Sequence, residues 1–103
     1  MSRYIISLPA SRDLQAIIDY FAVENENVDA GERILQTFNQ KCQQLVSFPN
    51  IGKKYDHLCP GLRGLRLDGH IIFYRNMDDG IKIVRVVSGR RNLGSLFADA
   101  EDE

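Results

Sequence analysis

Residues 62–87 read LRGLRLDGHIIFYRNMDDGIKIVRVV. Three runs in this stretch, Leu62–Leu67, His70–Arg75 and Ile81–Val87, are rich in β-branched and aromatic residues and predict strands. Asp68-Gly69 separates the first two as a two-residue hairpin signal, and Asp78, Asp79 and Gly80 mark the second turn. Strands joined by turns this short run antiparallel, because a parallel pair needs a crossover of a dozen residues or more. HIIFYR and IKIVRVV are apolar in both phases of the alternation. The pattern therefore leaves open which of Arg63, Arg66, Arg75 and Arg85 point away from the core.

Before the meander comes Asn50–Gly61, a loop punctuated by Gly52, Pro60 and Gly61. Pro49 closes a helix that starts near Asp29 and runs to Phe48, with the apolar stripe Ile34, Leu35, Phe38, Cys42, Leu45 and Val46. Glu24–Asp29 reads as a turn. Ahead of it, Leu14, Ile17, Ile18 and Phe21 form one face of an earlier helix, with Arg12, Asp13, Gln15 and Asp19 on the other. Pro9 suits its first turn, and Ser7 and Ser11 are both candidate caps. Arg3–Ser7 is a short strand. After the meander, residues 89–97 (GRRNLGSLF) form a closing segment with room for a helical turn. The order β-α-α-β-β-β predicts an α+β fold in which an antiparallel helical hairpin packs on one face of an antiparallel sheet. Residues 1–97 form the single domain, and residues 98–103 an acidic flexible tail.

The chain has 103 residues, 44% of them hydrophobic, which suffices for one core. No apolar run has the length of a membrane span, and the first residues lack a secretory pattern, so a cytoplasmic location is expected. Cys42 and Cys59 lack metal-ligand spacing and make no disulfide scaffold. Neither a metal nor a cofactor is expected. The net charge of −1 hides a segregation: residues 49–97 hold nine of the thirteen basic side chains, and residues 98–103 are acidic. Arginine dominates, and its planar fork suits carboxylate or phosphate. The second half thus suits an acidic peptide, an acidic protein surface or a nucleic acid.

No phosphate-loop, dinucleotide or zinc-hydrolase motif is present. His57 and His70 stand alone. Lys53-Lys54 beside Tyr55 combines ammonium groups with an aromatic ring, which suits a phosphate backbone. Arg90-Arg91 after Gly89 is the second basic cluster.

Taken in order, Ser11-Arg12-Asp13-Leu14, Phe48-Pro49-Asn50-Ile51-Gly52, Pro60-Gly61-Leu62-Arg63, Gly69–Arg75, Asp79–Ile83 and Arg85–Arg91 resemble the RelE/ParE superfamily of type II toxin–antitoxin toxins, in its ParE or plasmid-stabilisation branch. The resemblance spans Leu14 to Phe97. It implies a toxin that arrests growth by binding and inhibiting DNA gyrase, through Arg90, Arg91 and Phe97. It also implies a ParD-like antitoxin partner that carries the complex to operator DNA, and the basic second half suits an antitoxin that covers Arg63, Arg66 and Arg90 or binds elsewhere and blocks access. A RelE-like ribosome-dependent mRNA endoribonuclease is the alternative, with Lys53, Lys54, Tyr55, Arg63, Tyr74 and Arg91 as its catalytic set. Phe97, six residues beyond Arg91, cannot exchange a proton, and Ser88 stands where many relatives have a histidine, so the binding toxin is preferred. A non-toxic member that only binds an antitoxin is the third reading.

Overall fold

The computed structural model describes residues 3–24, 26–90 and 92–101. Its elements are β1 (Arg3–Ile6), α1 (Leu8–Glu24), α2 (Val28–Ser47), β2 (Lys53–Lys54), β3 (Leu62–Leu67), β4 (His70–Met77), β5 (Gly80–Ser88) and α3 (Leu93–Glu101). The strands form one sheet in the order β1-β5-β4-β3-β2. Strands β2 to β5 are antiparallel, as the short turns require, whereas β1 joins β5 in parallel. The sheet is thus mixed, because the helical hairpin between β1 and the meander supplies a crossover long enough for a parallel pair. Gly80 permits the close approach: its φ of +157° suits glycine, and a Cβ there would run into the Arg3 carbonyl oxygen.

Ser7 is the residue that starts α1. Its Oγ accepts from the Ala10 N–H (3.1 Å) and donates to the Val84 carbonyl (2.9 Å), so one hydroxyl caps the helix and ties it to β5. Asn27 caps α2 by accepting from the Asp29 N–H, after a turn in which Glu26 takes a left-handed φ of +48°. The hairpin buries Ala10, Leu14 and Ile17 of α1 and Ile34, Phe38, Cys42 and Leu45 of α2 against Leu67, Ile72, Tyr74, Ile81, Ile83 and Val86. Leu35, which the helical spacing places in this stripe, is 40% exposed.

Asp13 is not on a solvated helix face as its position in the sequence suggested. A β-bulge at Phe73/Tyr74 leaves Val84 without a cross-strand partner, so the alternation of β5 slips there. Asp13 then accepts from Arg85 Nε (2.6 Å), Arg85 Nη2 (3.0 Å) and the Val86 N–H (3.0 Å). The hydrogen bonds to Asp13 hold the Arg85 guanidinium above its ordinary pKa. Arg85 therefore clamps α1 to β5 and is not part of an open basic face.

The closing segment is a nine-residue helix, and its backbone runs on to Glu101, into the stretch assigned to the tail. Together with the loop 55–59 it covers the sheet face opposite the hairpin. Leu62, Ile71, Phe73, Val87 and Phe97 are buried there, with Tyr55, Leu58, Cys59, Val84, Leu93 and Leu96 around them. Among the described residues no helix is long and apolar enough to cross a membrane.

Candidate functional site

Residues directly opposite in a ladder share a face. On the face opposite the hairpin, Lys53, Gly64 and Phe73 therefore form one row. A second row holds Leu62, Arg75, Lys82 and Ile5, and a third Arg66, Ile71 and Val87. Four basic residues, Lys53, Arg66, Arg75 and Lys82, thus surround a small apolar centre. All four are exposed.

The aromatic side chains at this centre stack edge to face. Phe73 lies 5.1 Å from the Tyr55 ring and 4.9 Å from the Phe97 ring. Lys53 Nζ sits 5.4 Å above Tyr55, a cation–π contact, and His57 lies 5.8 Å from the same ring. Arg75 Nη2 reaches Cys59 Sγ (2.7 Å) and the Pro60 carbonyl (2.9 Å), so it braces the loop end while remaining accessible. Chemically this is a rim of guanidinium and ammonium groups around apolar surface. It suits a carboxylate- or phosphate-bearing partner that also offers apolar groups.

Phe97, expected at a target contact, is 1% exposed. It is the anchor that holds α3 on Phe73, and burial of its ring drives that docking. Arg90 is exposed, and its N–H donates to Ser88 Oγ. Arg91 lies outside the described residues.

The residues of the nuclease reading fall on two sides of the sheet. Lys53 and Tyr55 belong to the basic face. Arg63 and Tyr74 are opposite each other on the hairpin face, and Lys54 pairs with Arg63. Tyr74 is fully buried: its hydroxyl donates to the Pro49 carbonyl (2.7 Å) and accepts from the Gly52 N–H (2.9 Å). Burial pushes its phenol up, against smaller opposing effects from Gly52 and Arg63. Arg63 Nη1 donates to the carbonyls of Asn50 (3.1 Å) and Gly52 (2.9 Å). These two side chains brace the turn after α2. A Cβ on Gly52 would collide with the Tyr74 ring, so the glycine is part of the same brace. Arg63 is accordingly a brace on the hairpin side, not a neighbour of Arg66.

Cys42 is fully buried, and burial pushes its thiol up to about 12. Cys59 is half-buried. Among the described residues, no group of three or more histidine, cysteine, aspartate or glutamate side chains is placed to hold a metal ion.

The architecture is an α+β domain with a helical hairpin on one face of the sheet and a basic face, partly capped by α3, on the other. The sequence model of the ParE toxin of the type II toxin–antitoxin system parDE matches residues 4–93. Toxin ParE3 of Caulobacter vibrioides is 30% identical over 95 residues, covering 92% of this chain and 94% of that protein. A solved structure of the chromosomal ParDE toxin–antitoxin system from P. aeruginosa shares the fold with a TM-score of 0.71. It is 23% identical and covers 85% of this chain and 96% of the other. The chain belongs to the ParE toxin family of type II toxin–antitoxin systems.

Proposed function

We propose that the protein arrests growth by binding DNA gyrase and is neutralised by a cognate ParD-like antitoxin. The observation that carries a binding mode over a nucleolytic one is the fate of Tyr74 and Arg63. Both are committed to the turn at Pro49–Gly52, so they do not join Lys53 and Tyr55 in one acid–base set. Arg90 and Arg91, at the exit of β5, are the proposed target contacts, and Arg66 a proposed antitoxin contact. Phe97 acts in this reading by holding α3, not by touching the target. Operator DNA is reached through the antitoxin in the complex, and the setting is the cytoplasm, where gyrase works.

The test is a supercoiling reaction titrated with the purified toxin. Lost supercoiling, with linear DNA accumulating and with relief on adding antitoxin, is the expected result. Unchanged supercoiling by the folded protein, together with messages cut at the ribosomal A site, would replace this reading with the endoribonuclease.

A further inference from the structure

The basic rim of the second face has no acidic counterpart among the described residues. Arg75 Nη2 donates to Cys59 Sγ and the Pro60 carbonyl, and Lys53 sits over the Tyr55 ring. The ion pairs among the described residues join Arg3 to Asp79 and Arg85 to Asp13, so Arg66, Arg75 and Lys82 are left without a carboxylate there. Four acids close the chain: Asp99, Glu101, Asp102 and Glu103.

Local physics disfavours acids at that place. The backbone of α3 runs on to Glu101 with no basic residue in its last turn, so the negative end of the helix dipole coincides with negatively charged residues. A helix that ends in this way gains from cations supplied by another element.

The register of α3 says which cations these are. Leu93, Phe97 and Glu101 succeed one another at four-residue steps, the spacing of one helix face. The chain reaches this side of the sheet from Ser88, opposite His70, and Phe97 seats on Phe73 further along β4. Carried on in that direction, four residues of helix beyond Phe97 advance about 6 Å. Two residues of strand beyond Phe73 advance about 6.6 Å. The register position of Glu101 therefore corresponds to the row of Arg75 and Lys82, which lie directly opposite each other.

We propose that the chain's own acidic C-terminus, Asp99 to Glu103, occupies the Arg75–Lys82 end of the basic rim. It acts as a tethered competitor. A carboxylate- or phosphate-rich partner reaches these two cations only by displacing it, whereas Arg66, at the other end of the rim, stays open. The proposal is independent of whether gyrase is the target, since it concerns contacts within the chain.

Heparin, a soluble polyanion, is the probe, used with the purified full-length protein. Replacing three tail acids (Glu101→Gln, Asp102→Asn, Glu103→Gln) should tighten heparin binding about fivefold at low salt, a gain that high salt erases. Glu24, Glu26 and Glu32 are exposed on the helical hairpin. Glu24→Gln, Glu26→Gln and Glu32→Gln together change the net charge equally and should alter binding less than about twofold, because the sheet separates them from the rim. Combined with Lys82→Gln, the tail variant should lose most of its gain. By NMR, the tail substitutions should shift the backbone amides of Arg75 and Lys82 and leave that of Arg66 in place. Raising salt from about 0.05 to about 0.5 M on the unaltered protein should move the same two amides. Equal tightening by the two triple variants overturns the proposal in favour of net charge alone. Arg75 and Lys82 amides that respond to neither the tail substitutions nor salt overturn it outright. Shifts that grow with protein concentration overturn it in favour of the tail of a second copy.

Discussion

The two faces of the sheet are both apolar along β4, yet they are covered in unequal ways. Ile72 and Tyr74 face a hairpin of a 17-residue and a 20-residue helix, whereas Ile71 and Phe73 face one nine-residue helix and a loop. The hairpin is also locked by polar bonds: Ser7 to Val84, Asp13 to Arg85 and Val86, and Tyr4 to Asn39. Across the sheet, α3 is held by Phe97 with Leu93 and Leu96 beside it. The difference teaches that the two faces of one sheet can be covered to different degrees: the hairpin side carries the larger buried cluster, and the other leaves basic groups exposed around its rim.

Three substitutions would break or sharpen this contrast. Phe38→Ala removes a fully buried ring from the hairpin side and should cost about 3–5 kcal/mol, read as a large fall in the urea midpoint. Arg85→Ala strips Asp13 of its two guanidinium bonds and should cost about 2–3 kcal/mol, with the amides of α1 losing protection first. Phe97→Ala should cost only about 1–2 kcal/mol, because α3 can undock without the rest unfolding. Faster exchange confined to α3 and the 55–59 loop would accompany it. A cost equal to that of Phe38→Ala would mean that the two faces form one cooperative unit.

The smallest effect is chemical. Cys42 keeps its proton in the folded protein from its ordinary value of 9.0 up to about 12, a window in which the unfolded chain gives it up. The unfolded state thus binds fewer protons there, so stability should fall as pH rises from about 9 toward 12, and buried Tyr74 adds in the same direction. Midpoints measured across that range check the sign. At neutral pH a thiol reagent should label half-buried Cys59 and spare Cys42 until the protein unfolds.

Much of the fold was legible because its signals are local. The Asp68-Gly69 turn, Pro49 at the end of α2 and the helical spacing of Leu14, Ile17, Ile34, Phe38 and Leu45 each act within a few residues. The site was less legible. Arg63, Arg66, Arg75 and Arg85 look alike in the sequence, and their different roles depend on strand parity and on the bulge that leaves Val84 unpaired. Phe97 looked like an exposed contact because nothing near it in the chain says that Phe73 waits across the sheet. Asp13 looked solvated because its partner lies 72 residues away.

The sequence by itself determined the order of β1, the two hairpin helices and the three long strands, the antiparallel meander and membership of the toxin family, since periodicity, turn chemistry and residue order are properties of the chain; it did not show β2, which lies inside the stretch read as a loop. Only the tertiary structure decided that β1 joins β5 in parallel, that α3 caps the second face, and which arginines brace and which face outward. Those outcomes depend on long-range pairing, where one slip of register moves a side chain from one face of the sheet to the other.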